Sequence, residues 1–201
     1  MIKHFNSPNI YMIHGFASGP KYPNDKADLF ERVFGLTVKQ IAYDSAATFA
    51  ENMVALRKQI ESTPKIIIGT SLGAFYASKL AEVFDEQVKL LLLLNPCHTP
   101  SEILKHAVGT HENFATGESF EFSEHALQSY AKEAFVNPKL SLNRQVMLNM
   151  DDDLIDSQHT IDLFADVLDI TSFEVGGHRF ENISSNEVIN ALKNMKMRMK
   201  L

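Results

Sequence analysis

Short β-branched or leucine-rich runs alternate along this chain with stretches whose apolar residues recur every three or four positions. Asn9 to Ile13 reads as a buried strand that stops at His14-Gly15-Phe16, and a loop of turn formers follows through Pro23. Asn24 or Asp25 can cap a helix to about Phe34, with Leu29, Phe30 and Val33 on one face. Leu36 to Ala42 reads as a second strand, and Ala47 to Ser62 as a helix stopped by Pro64. A third strand follows from Lys65, then a helix to about Asp85 and a strand from Val88 to Leu94 closed by Asn95-Pro96. From Pro100 to Pro138 the rhythm breaks. Helical pieces around Glu102 to Ala107 and Glu124 to Ala134 are joined by polar segments at Gly109 to Asn113 and Thr116 to Glu118, with no clear strand between them. The alternation resumes with a strand from Gln145 to Asn149, a helix from Gln158 to Leu168, a strand from Thr171 to Val175 and a last helix from about Asn186. Such alternation predicts an α/β fold: a mainly parallel sheet with helices on both faces. The 100–138 stretch is either a small helical lid or a plain connection.

At 201 residues, 45% hydrophobic and 22% charged, the chain is expected to form one domain with a substantial core. A net charge of −6 argues against sequence-independent nucleic-acid binding, which needs a basic footprint to displace counterions. The one basic cluster, Lys193, Lys196, Arg198 and Lys200, suits the solvated end of a last helix. The longest apolar run, Leu90 to Leu94, is too short to span a bilayer, and the first eight residues lack a signal-peptide core, so a cytoplasmic location is expected. Cys97 is the only cysteine, which rules out an intrachain disulfide.

Against that background one stretch carries chemistry. Ile66-Ile67-Ile68-Gly69-Thr70-Ser71-Leu72-Gly73 is a β-branched run ending in Gly-x-Ser-x-Gly and passing into helix formers, the context of a nucleophile elbow. Ser71 is the candidate nucleophile, and Gly69 and Gly73 remove side chains that would collide across so sharp a turn. Serine is a poor nucleophile at neutral pH and needs a base, itself oriented by a carboxylate. On α/β-hydrolase folds these follow in the order Ser, acid, His. Asp151, Asp152, Asp153 and Asp156 follow the strand ending at Asn149, and Gly176-Gly177-His178 follows the last strand, its glycines permitting a sharp turn. An oxyanion hole would use the backbone N–H of Leu72 and, from the loop after the first strand, that of Phe16. His14, next to Gly15, is read as fixing that loop, since one base suffices. His98, His106 and His111 match no metal-ligand spacing, no cofactor is called for, and nothing places a base beside Cys97.

Taken together, Ile13-His14-Gly15-Phe16, Ser18-Gly19-Pro20, Lys26-Ala27, Gly69 to Ala77, Asn95-Pro96, Thr116-Gly117-Glu118, Asp152 to Asp156 and Gly176-Gly177-His178 resemble the small bacterial α/β-hydrolases of the YqiA/YcfP esterase type, UPF0227-like, over almost the whole length. Ala74 and Asp151 stand where that family usually has glycine, the loop from Gly19 to Asn24 is extended, and the His178 turn is a residue shorter. The resemblance implies an esterase acting on acyl esters. The acid in such enzymes precedes one variable residue and an apolar pair that tucks the loop onto the core, a frame that only Asp152 fits, ahead of Asp153-Leu154-Ile155. Asp156 suits a helix cap instead. The expectation is a serine hydrolase using Ser71, Asp152 and His178 on small acyl esters or thioesters. A weakly catalytic scaffold on the same fold, or an acyltransferase, are the alternatives. The natural substrate and the oligomeric state are not written in the sequence.

Overall fold

The structure is a computed structural model in which residues 10–60, 66–84, 87–135 and 143–199 are described. The first half gives β1 (Ile10–Ile13), α1 (Asp25–Phe34), β2 (Val38–Ile41), α2 (Phe49–Gln59), β3 (Ile66–Thr70), α3 (Leu72–Phe84) and β4 (Leu90–Leu94). Next come the short helix α4 (Pro100–Ile103), a single 3-10 turn (Leu104–Ala107), β5 (Gly109–Glu112), β6 (Ser119–Phe122) and α5 (Glu124–Gln128). The chain ends with β7 (Asn143–Asn149), α6 (Ser157–Phe164), β8 (Asp169–Phe173), a 3-10 turn (Glu181–Ser184) and α7 (Asn186–Met199).

Six strands form one sheet in the order β2-β1-β3-β4-β7-β8, and every pairing is parallel. Side chains alternate across it. Ile10, Met12, Ile66, Ile68, Leu90 and Leu92 meet α1 and α7 on one face, while Tyr11, Ile13, Ile67, Leu91 and Leu93 meet α2, α3 and α6 on the other. Because both faces are covered, the inner strands β1, β3 and β4 are buried without a polar side, which is why they read as continuous apolar runs, whereas β2 and β8 keep polar, partly exposed residues at the sheet's edges. The helices start where their caps sit. Asn24 accepts the N–H groups of Lys26 and Ala27 ahead of α1, and Thr48 with Glu51 forms a reciprocal capping box on α2. Gly35, at φ 71°, stops α1. α1 then buries Leu29, Phe30, Val33 and Phe34, at roughly 1.5–3 kcal/mol each, and Phe30→Ala would remove its anchor.

Three expectations need correction. The segment after α4 contains strands: β5 and β6 pair antiparallel, with His111 opposite Phe120. Their alternation is hidden in the sequence because the inward positions of β5 are Gly109 and His111, neither of which reads as core, and each strand has only four residues. The helix expected to reach Ala134 ends at Gln128, where Ser129 turns its hydroxyl back onto the carbonyl of Ala126. The last strand runs two residues earlier than expected, as Asp169–Phe173, because Val175 is exposed and belongs to the loop beyond. Asn9, Ser62, Pro64, Lys65, Asp85, Pro138 and Lys200 lie outside the described residues.

Candidate active site

In this strand order β1 lies between β2 and β3, so the loops leaving β1 and β3 part to opposite faces at their carboxyl ends. A crevice forms where an α/β sheet changes direction in this way. Ser71 and Phe16 stand on its two sides.

Ser71 connects β3 directly to α3 at φ 53°, a left-handed conformation that a non-glycine residue adopts only under constraint. The constraint is the end of β4: the N–H of Ser71 donates to Leu94 O at 3.0 Å, and Ser71 O accepts from Cys97 N at 3.1 Å. A Cβ at Gly69 would run into the backbone of Gly73 and Ala74, and one at Gly73 into the carbonyl oxygens of Ile13 and His14. At Gly15 it would come within 3.3 Å of the Ser71 Cβ.

The three residues expected to act together are in contact. The Ser71 hydroxyl lies 2.9 Å from His178 Nε2, and His178 Nδ1 lies 2.8 and 3.0 Å from the two oxygens of Asp152. A carboxylate only accepts, so the imidazole proton sits on Nδ1 and the Nε2 lone pair faces the serine hydroxyl, which donates to it. The Asp152 side chain is fully buried, and its Oδ1 also accepts the N–H groups of Leu154 and Ile155 at 2.9 Å each. Of the expected apolar pair, Ile155 is buried and tucks the loop onto the core, whereas Leu154 is 67% exposed. The other aspartates point elsewhere. Asp156 caps α6 through the N–H of His159, Asp153 is exposed, and Asp151 turns away from the imidazole toward the backbone ahead of it.

Among the described residues, no hydrogen bond occupies the N–H of Phe16 or of Leu72. Leu72 opens the thirteen-residue α3, where the helix dipole adds positive potential. Phe16 is fixed from below and above. Ala17, at φ 52°, donates its N–H to Ser45 Oγ, and the Phe16 ring meets His111, Phe120 and Phe122 edge-on. His14 has both ring nitrogens engaged: Nδ1 donates to Gly15 O at 2.8 Å, and Nε2 accepts from Tyr43 N at 3.3 Å. It stacks on Tyr43, and burial lowers its pKa to about 4, which keeps it neutral and removes it as a base.

Sequence reasoning missed what holds the histidine. Asn95, buried and at φ 41°, donates from Nδ2 to the carbonyls of Gly177 and His178 at 2.9 and 3.0 Å. Its Oδ1 accepts the N–H of Asn149, whose own Nδ2 donates to Gly177 O at 3.0 Å. The only sequence signal was an asparagine before proline at a strand end. The thiol of Cys97 is buried, which pushes its pKa far up and makes it a poor nucleophile. His98 packs against His159, Phe135 and Phe164 rather than with His106 or His111. Among the described residues, no group of three or more His, Cys, Asp or Glu could hold a metal ion, and no helix is long and apolar enough to cross a membrane.

The sequence signature of an uncharacterised protein family, UPF0227, matches residues 9–197. No curated protein matches the chain in sequence. Among solved structures, Est1E from Butyrivibrio proteoclasticus is similar at a TM-score of 0.71 and 12% identity, covering 96% of this chain and 88% of that one. Alpha/beta hydrolase domain-containing protein 10 from mouse gives 0.67 at 14% identity over 97% and 90%. The esterase domain of a Rhodothermus marinus protein gives 0.65 at 18% identity over 95% and 87%. At these identities the likeness establishes a shared fold, that of the α/β-hydrolases.

Proposed function

The chain belongs to UPF0227, an uncharacterised protein family, and from that premise and its site we propose that it is a serine hydrolase cleaving acyl esters or thioesters. The observation that carries the reading is the unbroken chain of hydrogen bonds from Asp152 through His178 to a serine held at φ 53°. Ser71 Oγ attacks the acyl carbon while its proton passes to His178 Nε2, and the imidazolium is stabilised by Asp152. The oxygen that becomes negative is received by the N–H groups of Phe16 and Leu72, each such donor contributing about 3 kcal/mol to the transition state. Collapse expels the alcohol or thiol, which takes the proton from His178. Water then attacks the acyl-enzyme, giving its proton to His178, and the acid leaves with Ser71 restored. The name of the Rhodothermus relative, an esterase domain, supports ester chemistry on this fold.

A fluorophosphonate probe together with a panel of acyl esters and thioesters of graded length tests the reading. The wild type should be labelled and turn over. Ser71→Ala should be folded, unlabelled and slower by at least about a thousandfold, the residue resting on the oxyanion donors alone. Near-normal turnover by Ser71→Ala would refute a serine mechanism, and an unlabelled, inactive wild type would favour a scaffold role.

A further inference from the structure

β7 runs out into two neighbouring carboxylates, Asp151 and Asp152, and both reach the same loop. Asp152 meets the imidazole of His178. Asp151 meets the backbone that carries it: Oδ1 accepts the N–H of Gly177 at 2.8 Å, and Oδ2 accepts the N–H of Gly176 at 3.1 Å. These two bonds hold the Asp151 carboxyl below its usual range although the side chain is exposed. The opposite polar edge of the loop is gripped by amides, with Asn95 and Asn149 donating to Gly177 O and Asn95 also to His178 O.

Gly176 and Gly177 sit at φ 150° and 58°, so the turn ahead of His178 has the freedom that only glycine gives. That freedom lets the loop fold back over the sheet, yet left alone it would let the imidazole swing away from Ser71. The two N–H groups make a small concave donor pair, and a carboxylate that accepts both fixes the two peptide planes relative to each other.

We propose that Asp151 is a positioning residue that sets the direction of His178 by pinning the paired glycines, an assignment that rests on the reading of His178 as the base. Because the side chain is exposed and, among the described residues, accepts hydrogen bonds only from this turn, its removal should disturb the reaction more than the fold.

The test compares Asp151→Ala, Asp151→Asn and, as control, Asp153→Ala by steady-state kinetics on an acyl ester, by urea midpoint, and by the proton resonance of the His178 Nδ1–H shared with Asp152. Asp151→Ala should lower kcat by about ten- to a hundredfold, the scale of a misplaced reacting group, with KM within about twofold of wild type. Its urea midpoint should match that of Asp153→Ala, and the resonance should broaden or vanish. Asp151→Asn should fall between, since its amide oxygen can still accept from Gly177 while its NH2 faces the N–H of Gly176. Unchanged kcat with an intact resonance in Asp151→Ala would overturn the assignment. So would a lowered urea midpoint with the resonance retained, which would mark a purely structural contact. If the wild type hydrolyses no acyl ester but Asp151→Ala still loses the resonance, the hydrolase reading fails and the positioning role stands.

Discussion

A carboxylate orients an imidazole only if it is itself held, and Asp152 is held by three neighbours: the His178 Nδ1–H and the N–H groups of Leu154 and Ile155. Replacing it with asparagine keeps the shape but presents an NH2 where only an acceptor works, so His178 would be turned to the wrong tautomer. Asp152→Asn should lower kcat by about 10⁴, whereas Asp156→Asn, four residues on, should leave kcat intact and cost at most about 1 kcal/mol as a helix cap. Activity in Asp152→Asn with loss in Asp156→Asn would reverse the assignment. A second prediction concerns His98. Burial, aided by His159 and opposed by Asp156, lowers its pKa to about 4, and its Nδ1 has no partner among the described residues. Above the unfolded value near 6.5, His98 is neutral in both states. As pH falls from there toward 4, only the unfolded chain takes up the proton, so stability is lost across that window. His14 acts in the same direction. Urea midpoints between pH 7 and pH 4 should therefore decline less steeply for His98→Phe, whose ring fits among Phe135 and Phe164, than for the wild type. Parallel slopes would mean that His98 is not the group responsible.

Among the elements, the β5–β6 hairpin is the one that braces the loop of the proposed oxyanion donor Phe16 from outside. At its tip Asn113 donates from Nδ2 to Ser18 O at 3.1 Å and Phe114 donates its N–H to Ala17 O at 2.8 Å, so the loop carrying Phe16 is held from outside as well as by Ser45. Asn113→Ala removes one of these ties and the turn bonds that Asn113 Oδ1 accepts from Ala115 and Thr116. It should lower kcat several-fold, about 1 kcal/mol of transition-state stabilisation, with little change in KM. A raised KM at constant kcat would show that the hairpin serves substrate binding instead. The hairpin was also the least legible part of the sequence. The inner strands β1, β3 and β4 declared themselves through isoleucine and leucine because both their faces are buried. β5 and β6 bury one side only, through His111, Phe120 and Phe122, and a histidine is no sign of a core. Helix starts were legible from Asn24 and Thr48, and helix ends less so, since they depend on where Ser129 or Ala165 stops finding partners.

At the scale of the molecule, six parallel strands deliver their carboxyl ends to one edge, and the candidate residues come from the loops after β1, β3, β7 and β8. That much could be read in advance, because Gly-x-Ser-x-Gly, an aspartate cluster and Gly-Gly-His each follow an apolar run in order. What could not be read was the support: Asn95 and Asn149 act through a loop some eighty and thirty residues away, and long-range partners of buried amides leave no local pattern. The left-handed backbone at Ser71 has a consequence that needs no substrate to detect. A serine there costs the fold free energy that a glycine would not, so the site should register as a deficit in stability. Both Ser71→Ala and Ser71→Gly discard the hydroxyl, yet only glycine is at ease at φ 53°. Ser71→Gly should therefore unfold at a higher urea concentration than Ser71→Ala, by about 1 kcal/mol, and equal midpoints would show that the turn is unstrained. On that account the proposed nucleophile of this chain is also a residue that its fold would be sturdier without.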